Sequence, residues 1–191
     1  MKSIEFMKEY LQDNLVKGRY LHTLGVVETA IKLAKLHGVD LKKAEIAAIS
    51  HDIAKNVPKE DLLSIINENN IDLSIYEENT KELWHSIAGP VLAKKHFYIE
   101  DEEILSAIRW HTTGKENMSK LDKIIYLADM VEPSRNFPGV EELRKDCEED
   151  LDKAMLNALT HTIKYLLDKG CLVDINTVNA RNYLVYNNIN R

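Results

Sequence analysis

Two acids stand inside runs whose apolar rhythm is that of buried helices, and no other feature limits this chain so strongly. Asp52 lies in AEIAAISHDIAK, residues 44–55, among small apolar residues that let neighbouring helices approach closely. Asp129 lies in IIYLADMVEP, residues 124–133, one helical turn from Ile125. A buried carboxylate costs several kcal/mol unless something compensates it. A metal ion does so directly, and the adjacent His51 is a natural co-ligand.

The rest of the chain reads as helix after helix. Ile4, Met7 and Leu11 mark one apolar stripe, and Leu24, Val27, Ile31 and Ala34 mark the next, which should stop near Gly38. Asp40 caps a helix expected to run through Ala54, and Pro58 suits the first position of another. Trp84 to His96 has helical character, with Gly89 and Pro90 positioned to bend or restart it. Asp101 caps a helix carrying Ile104, Ile108 and His111, which Gly114 ends. Ser119 and Asp122 form a capping box for a helix through about Val131. EPSRNFPGV is the clearest loop, long helices follow through Lys169, and a last one spans Thr177 to Tyr186. Strand signals are weak. The expected fold is all-α: a single-domain helical bundle over residues 1–191, with a buried metal site.

Four histidines join the two acids. His111 follows Ile104 and Ile108 at helical spacing and points inward; His85 and His22 each open a helix. Taken singly, an inward histidine is more often a hydrogen-bonded core residue than a ligand. His22, His51, Asp52, His85, His111 and Asp129, however, come from five helices, as a site at a bundle's centre requires. His37, His96 and His161 lack such company and read as structural or surface residues.

Composition narrows the partners. With 191 residues, 45% hydrophobic, the chain can bury one substantial core. Its formal charge of −6 argues against duplex nucleic acid, yet local arginines and metal cations can still bind a small polyphosphate. Cys147 and Cys171 form no close pair, which argues against a thiolate zinc site and suits a reducing, cytoplasmic setting. No apolar run has the length of a membrane span, and MKSIEFMKEYLQ lacks the continuous apolar stretch of a signal peptide. A small helical bundle is compatible with a homodimer.

The words around the six residues carry a resemblance. His22, His51-Asp52 and Asp129 resemble the HD superfamily of metal-dependent phosphohydrolases, and His85 and His111 resemble its two-metal subset. RYLHTLGVVETA, HDIAK, HSIAGPVLA, RWHTTG, LDKIIYLADMVEPSRNFPGV and ARN together resemble the YqeK family, bacterial hydrolases that split diadenosine tetraphosphate into two ADP molecules. The likeness runs from Arg19 to about Tyr183 and is weakest over 56–80 and 141–170. It implies a metal-ligand core of about 19–135, with C-terminal helices of about 140–186 packed on it.

The resemblance implies that His22, His51, Asp52 and Asp129 hold a first metal. Asp52 would bridge to a second, completed by His85 and His111. Imidazole and carboxylate suit iron or manganese and also accept zinc, cobalt or nickel; the family favours iron. Arg19, Lys55, Arg135 and Arg181 are the implied phosphate cations, with Arg135 the strongest because it sits in a loop just past a ligand; Lys55, three residues after Asp52, either touches a phosphate or assists the leaving oxygen, a catalytic role beside Asp52 and Asp129. Thr112 offers a hydroxyl to phosphate. LVDINT, residues 172–177 and ending at Thr177, offers backbone to an adenine or serves as a plain connection. The rival readings are another HD phosphohydrolase acting on nucleoside monophosphates or deoxynucleoside triphosphates, a non-catalytic nucleotide sensor, and a helical scaffold whose acids and histidines are merely paired.

Overall fold

The computed structural model describes residues 1–189. Every regular element among them is helical: α1 (Ile4–Asn14), α2 (Lys17–His37), α3 (Leu41–Ser50), α4 (Lys59–Glu68), α5 (Ile75–Glu78), α6 (Trp84–Leu92), α7 (Glu102–Trp110), α8 (Lys120–Val131), α9 (Val140–Glu149), α10 (Leu151–Asp168) and α11 (Ile175–Ile189). The predicted caps explain many of these limits. Gly38 ends α2 in the left-handed region, and Asp40 and Asp101 accept backbone N–H groups at the starts of α3 and α7. Ser119 and Asp122 form the reciprocal capping box of α8.

Several expectations needed revision. The helix from Asp40 stops at Ser50, not Ala54; residues 51–56 continue as tight turns closed by Ile53 N–H to Ser50 O and Lys55 N–H to Asp52 O. His51 explains the stop, because its ring takes the Ala48 carbonyl that the next helical N–H would have used. Pro58 is the N-cap of α4 and not its first residue. The α2 stripe turns slightly from that predicted: Val26, Val27, Ala30, Leu33 and Ala34 are buried, whereas Leu24 and Ile31 are half-buried. The last helix begins two residues before Thr177. Short α5, with its Ser74–Glu77 capping box, falls in the stretch that carried little pattern.

Helices α2, α3, α6, α7 and α8 pack around one another and carry or adjoin all six candidate donors. Gly89 shows how closely α6 and α7 meet: a Cβ there would lie 2.9 Å from Ile108 Cγ2. Pro90 sits within α6, and the chain continues through a wider turn over Ala93–Phe97. Helices α9 and α10 close against α8, and α11 against α10.

Candidate metal centre

Asp52 is the hub of the site and is 2% exposed. Its Oδ1 faces His85 Nε2 at 3.3 Å and His111 Nε2 at 3.7 Å. Its Oδ2 faces His51 Nε2 at 3.4 Å and His22 Nε2 at 3.9 Å. Asp129 completes the second side, with Oδ1 3.0 Å from His22 Nε2. Thus the six predicted donors meet, and one carboxylate joins a pair of imidazoles on either side.

The outward nitrogens fix how the rings can act. Nδ1 of His51, His85 and His111 each donates to a backbone carbonyl three residues back: Ala48 at 2.6 Å, Glu82 at 2.7 Å and Ile108 at 2.8 Å. A carbonyl only accepts, so Nδ1 carries the proton and a neutral ring presents its Nε2 lone pair inward. Nδ1 of His22 donates instead to the Glu132 carboxylate at 3.0 Å. The inward lone pairs then crowd: His85 and His111 Nε2 are 3.2 Å apart, and His22 Nε2 faces a carboxylate oxygen. Nε2 of His22 and of His51 are buried without an aligned hydrogen-bond partner. Converging lone pairs and carboxylate oxygens repel unless cations lie among them. The groups His22–His51–Asp129 and His51–Asp52–His111 each bring their donor atoms within 4.8 Å, so the residues fit a metal.

Protons on these rings can stand in for a metal ion as the compensating charge: against its burial, Asp52 and Asp129 raise the pKa of His51, and the acids respond to that protonated cluster. Burial opposes ionisation of Asp52, yet His51 and His111 hold its carboxyl well below the usual range. Asp129 is likewise disfavoured by burial and driven far down by the His22 contact and by His51. Burial and the neighbouring His111 push His85 well below the ordinary imidazole value, which keeps the ring neutral.

The centre opens on one side into a cavity of about 880 Å³, lined by His22, His111 and Asp129 among the donors. Three other predicted contacts line it: Arg19, Thr112 and Arg135. Arg19 Nη1 reaches Asp52 Oδ2 at 2.9 Å, and Arg135 Nη2 reaches Asp129 Oδ1 at 2.6 Å. Thr112 shares a hydrogen bond with Ser86 at 2.8 Å. Lys55 Nζ lies 3.2 Å from His85 Nε2, and burial lowers its pKa. Two predicted contacts lie apart. Arg181 donates to Thr160 Oγ1 on α10, and Thr177 is buried in the first turn of α11; neither lines the cavity.

Some participants carried no visible sequence signal. Glu132 is 1% exposed, yet in EPSR it reads as a solvated loop acid. Its indirect mark is Gly25, where a Cβ would come within 2.8 Å of Glu132 Oε2. His161, read as structural or surface, lines the cavity wall with its ring 4.8 Å from that of Phe137. Thr162 and Tyr165 continue that wall along α10. His37 hydrogen-bonds the Cys147 carbonyl, and His96 packs on Tyr10.

Comparison with known proteins agrees with this geometry. The family model "HD domain" matches residues 19–134. The symmetrical bis(5'-nucleosyl)-tetraphosphatase of Bacillus subtilis is 44% identical over 92% of this chain and 94% of its own length. That of Staphylococcus aureus is 33% identical over 96% of this chain and 95% of its own. A crystal structure of a predicted HD superfamily hydrolase involved in NAD metabolism, from Clostridium acetobutylicum, superposes with a TM-score of 0.95. It is 46% identical and covers 98% of this chain and 99% of that one. With every donor inside the matched region and relatives aligned over nearly their whole length, the chain belongs to the HD domain family and, within it, to the YqeK family.

Proposed function

We propose that this protein hydrolyses diadenosine tetraphosphate symmetrically, releasing two ADP molecules. The observation that carries this reading is Asp52 set between two nests of inward imidazole lone pairs, at the end of a cavity edged by Arg19 and Arg135. We assign the donor set to a pair of iron ions, for which manganese, cobalt, nickel or zinc can substitute. Such a pair, when bound, activates water near neutral pH and neutralises charge on phosphoryl oxygens.

The chain's own groups do the rest. Arg135 and Arg19 steer polyphosphate oxygens to the donor cluster and hold the central anhydride in line. Thr112, braced by Ser86, offers a further hydroxyl. Lys55, its proton loosened by burial, stands 3.2 Å from His85 behind the cavity lining and is assigned to protonate the oxygen of the departing ADP. The aromatic wall of Phe137, His161 and Tyr165 suits the nucleoside end. Thr177 and Arg181 then serve the nucleotide less directly, through α11 and the wall of α10. In this proposal residues 1–191 work as one domain, with the donors in about 19–135 and helices of about 140–186 forming the far wall. Two unpaired cysteines support a cytoplasmic setting.

Incubating the iron-loaded protein with diadenosine tetraphosphate, dATP and dAMP, each separately, tests the assignment. Two ADP per tetraphosphate, with dATP and dAMP left intact, is the expected result. ATP plus AMP, triphosphate from dATP, or retained ADP without turnover under any of these metals would overturn it.

A further inference from the structure

We infer that Arg144 is the positioning residue of the active-site loop between α8 and α9, although it lies outside the cavity. Its guanidinium gathers three backbone carbonyls. Nε donates to Val131 O at 2.9 Å, and Nη2 donates to Glu132 O and Arg135 O, each at 3.0 Å. Nη1 turns the other way, to Glu141 on its own helix. The carbonyls of Val131 and Glu132 mark the C-terminal end of α8, where helical partners run out and a cation is favoured.

What Arg144 holds is what the metal centre leans on. The Glu132 side chain receives His22 Nδ1 at 3.0 Å, while its backbone is held from behind by Arg144. The Arg135 side chain grips Asp129, through Nε to the backbone oxygen at 2.8 Å and Nη2 to the carboxylate at 2.6 Å. Its carbonyl too is held by Arg144. One planar fork therefore sets two residues, three apart in the first half of a short loop, that both reach the site. The segment has no regular structure of its own, since Glu132 to Gly139 contains two prolines and lies between helices. A lysine keeps the charge but offers one nitrogen in place of the two, Nε and Nη2, that share the three carbonyls.

The inference rests on Arg135 being a phosphate contact, so its test has one arm that does not use the substrate. Arg144→Lys and Arg144→Ala are compared with the parent in three measurements: tetraphosphate hydrolysis, iron bound at equilibrium, and thermal unfolding. Arg144→Ala should lower kcat/KM by about ten- to hundredfold, the range for groups that orient metal ligands. Arg144→Lys should recover little of it, and millimolar guanidinium should restore part of the Ala variant's rate. Iron affinity should fall in both variants, because Glu132 no longer fixes His22. A Lys variant with parental KM and iron affinity overturns the inference. So does a loss that follows only the unfolded fraction and ignores guanidinium. If Arg144→Ala does not fold, Arg144→Lys decides alone. If the parent shows no tetraphosphatase activity, the proposed substrate fails while the iron titration still decides the role of Arg144.

Discussion

The donors of the candidate metal centre divide by what orients them, and this division cuts across the two faces of Asp52, since His51 on the Oδ2 face goes with His85 and His111 on the Oδ1 face. On the side of His51, His85 and His111, each ring is fixed by a carbonyl three residues earlier in the same segment. On the side of His22 and Asp129, the fixing groups lie in the loop after α8: Glu132 is 110 residues from His22, and Arg135 reaches back six residues to Asp129. The first side needs only helix ends. His51 and His111 sit at the C-caps of α3 and α7, and His85 follows a short helical turn at the start of α6. The second side exists only once α2, α8 and the loop after it have closed on one another. The first side is thus oriented by local construction, and of its rings His111 lines the cavity. His22 and Asp129 line it too, held by groups of the loop after α8, where substrate enters and products leave.

Asp52 belongs to both sides, and its loss should have the largest effect. Asp52→Asn is expected to lower tetraphosphate hydrolysis by roughly a thousandfold or more and to empty the site of metal. Parallel measurement of turnover and of iron per chain checks this. A variant that keeps full iron and a rate within about tenfold of the parent would refute the bridging role.

The next test separates the sides. The carbonyls that orient His51, His85 and His111 cannot be removed by substitution, but Glu132 can. Glu132→Ala should cost about ten- to hundredfold in kcat/KM, with weaker iron binding and only a small change in melting temperature. Gly25→Ala should reproduce part of that loss, since its methyl would lie 2.8 Å from Glu132 Oε2 and must displace the carboxylate. If Gly25→Ala is fully active while Glu132→Ala is not, the close packing of α2 against Glu132 is not what sets His22.

The locally built side has a long-range strut whose loss should affect stability more than rate. Arg109 on α7 pairs with Glu77, which also closes the capping box of α5, while Trp84 Nε1–H donates to the Glu77 carbonyl. This ties the segment before His85 to the helix before His111. Burial opposes the charge on Glu77, but the Ser74 N–H and Arg109 hold its pKa below the ordinary carboxylate value of 4.5. A folded-state pKa below the unfolded one means stability that is present above about 4.5 and is lost as the pH falls through the folded value. Glu77→Gln should therefore cost about 1–3 kcal/mol at pH 7, and the gap from the parent should narrow below pH 4.5. Urea unfolding of both proteins at pH 7 and pH 3.5 measures it; a gap that stays constant would remove the ion pair from the account.

The same contrast explains what could be read from sequence. Asp52, Asp129 and the four histidines were legible because their types break an apolar helical rhythm, and because local caps at Asp40, Asp101 and Ser119 set the helices that carry them. Glu132 and Arg144 were not, because each is an ordinary charged residue until the fold places it beside a partner distant in sequence or against loop carbonyls. The end of α3 at Ser50 was missed for a related reason: propensity continues the helix, and the His51 side chain takes over a carbonyl the helix would have used. The α10 wall was missed because His161 has no second histidine or acid near it in sequence; its companion Phe137 comes from the loop before α9.

That wall supports the smallest expected effect, and it tests whether the loop-built side extends to the nucleoside. Tyr165 is 55% exposed and lines the cavity beyond His161 and Phe137. A base stacked on an aromatic ring gains about 1–3 kcal/mol. An exposed ring belongs at the low end of that range, so Tyr165→Ala should raise KM for diadenosine tetraphosphate about fivefold. The change should leave kcat alone, because the donor cluster is untouched and uniform binding is all that is lost. Inorganic tetraphosphate, which has no base, supplies the control. Its inhibition constant should not move in the variant if the ring meets the nucleoside, and should weaken in step with KM if Tyr165 acts only by shaping the entrance. Equal shifts for both compounds would confine recognition to the phosphates and to Arg19 and Arg135, leaving the wall as scaffold.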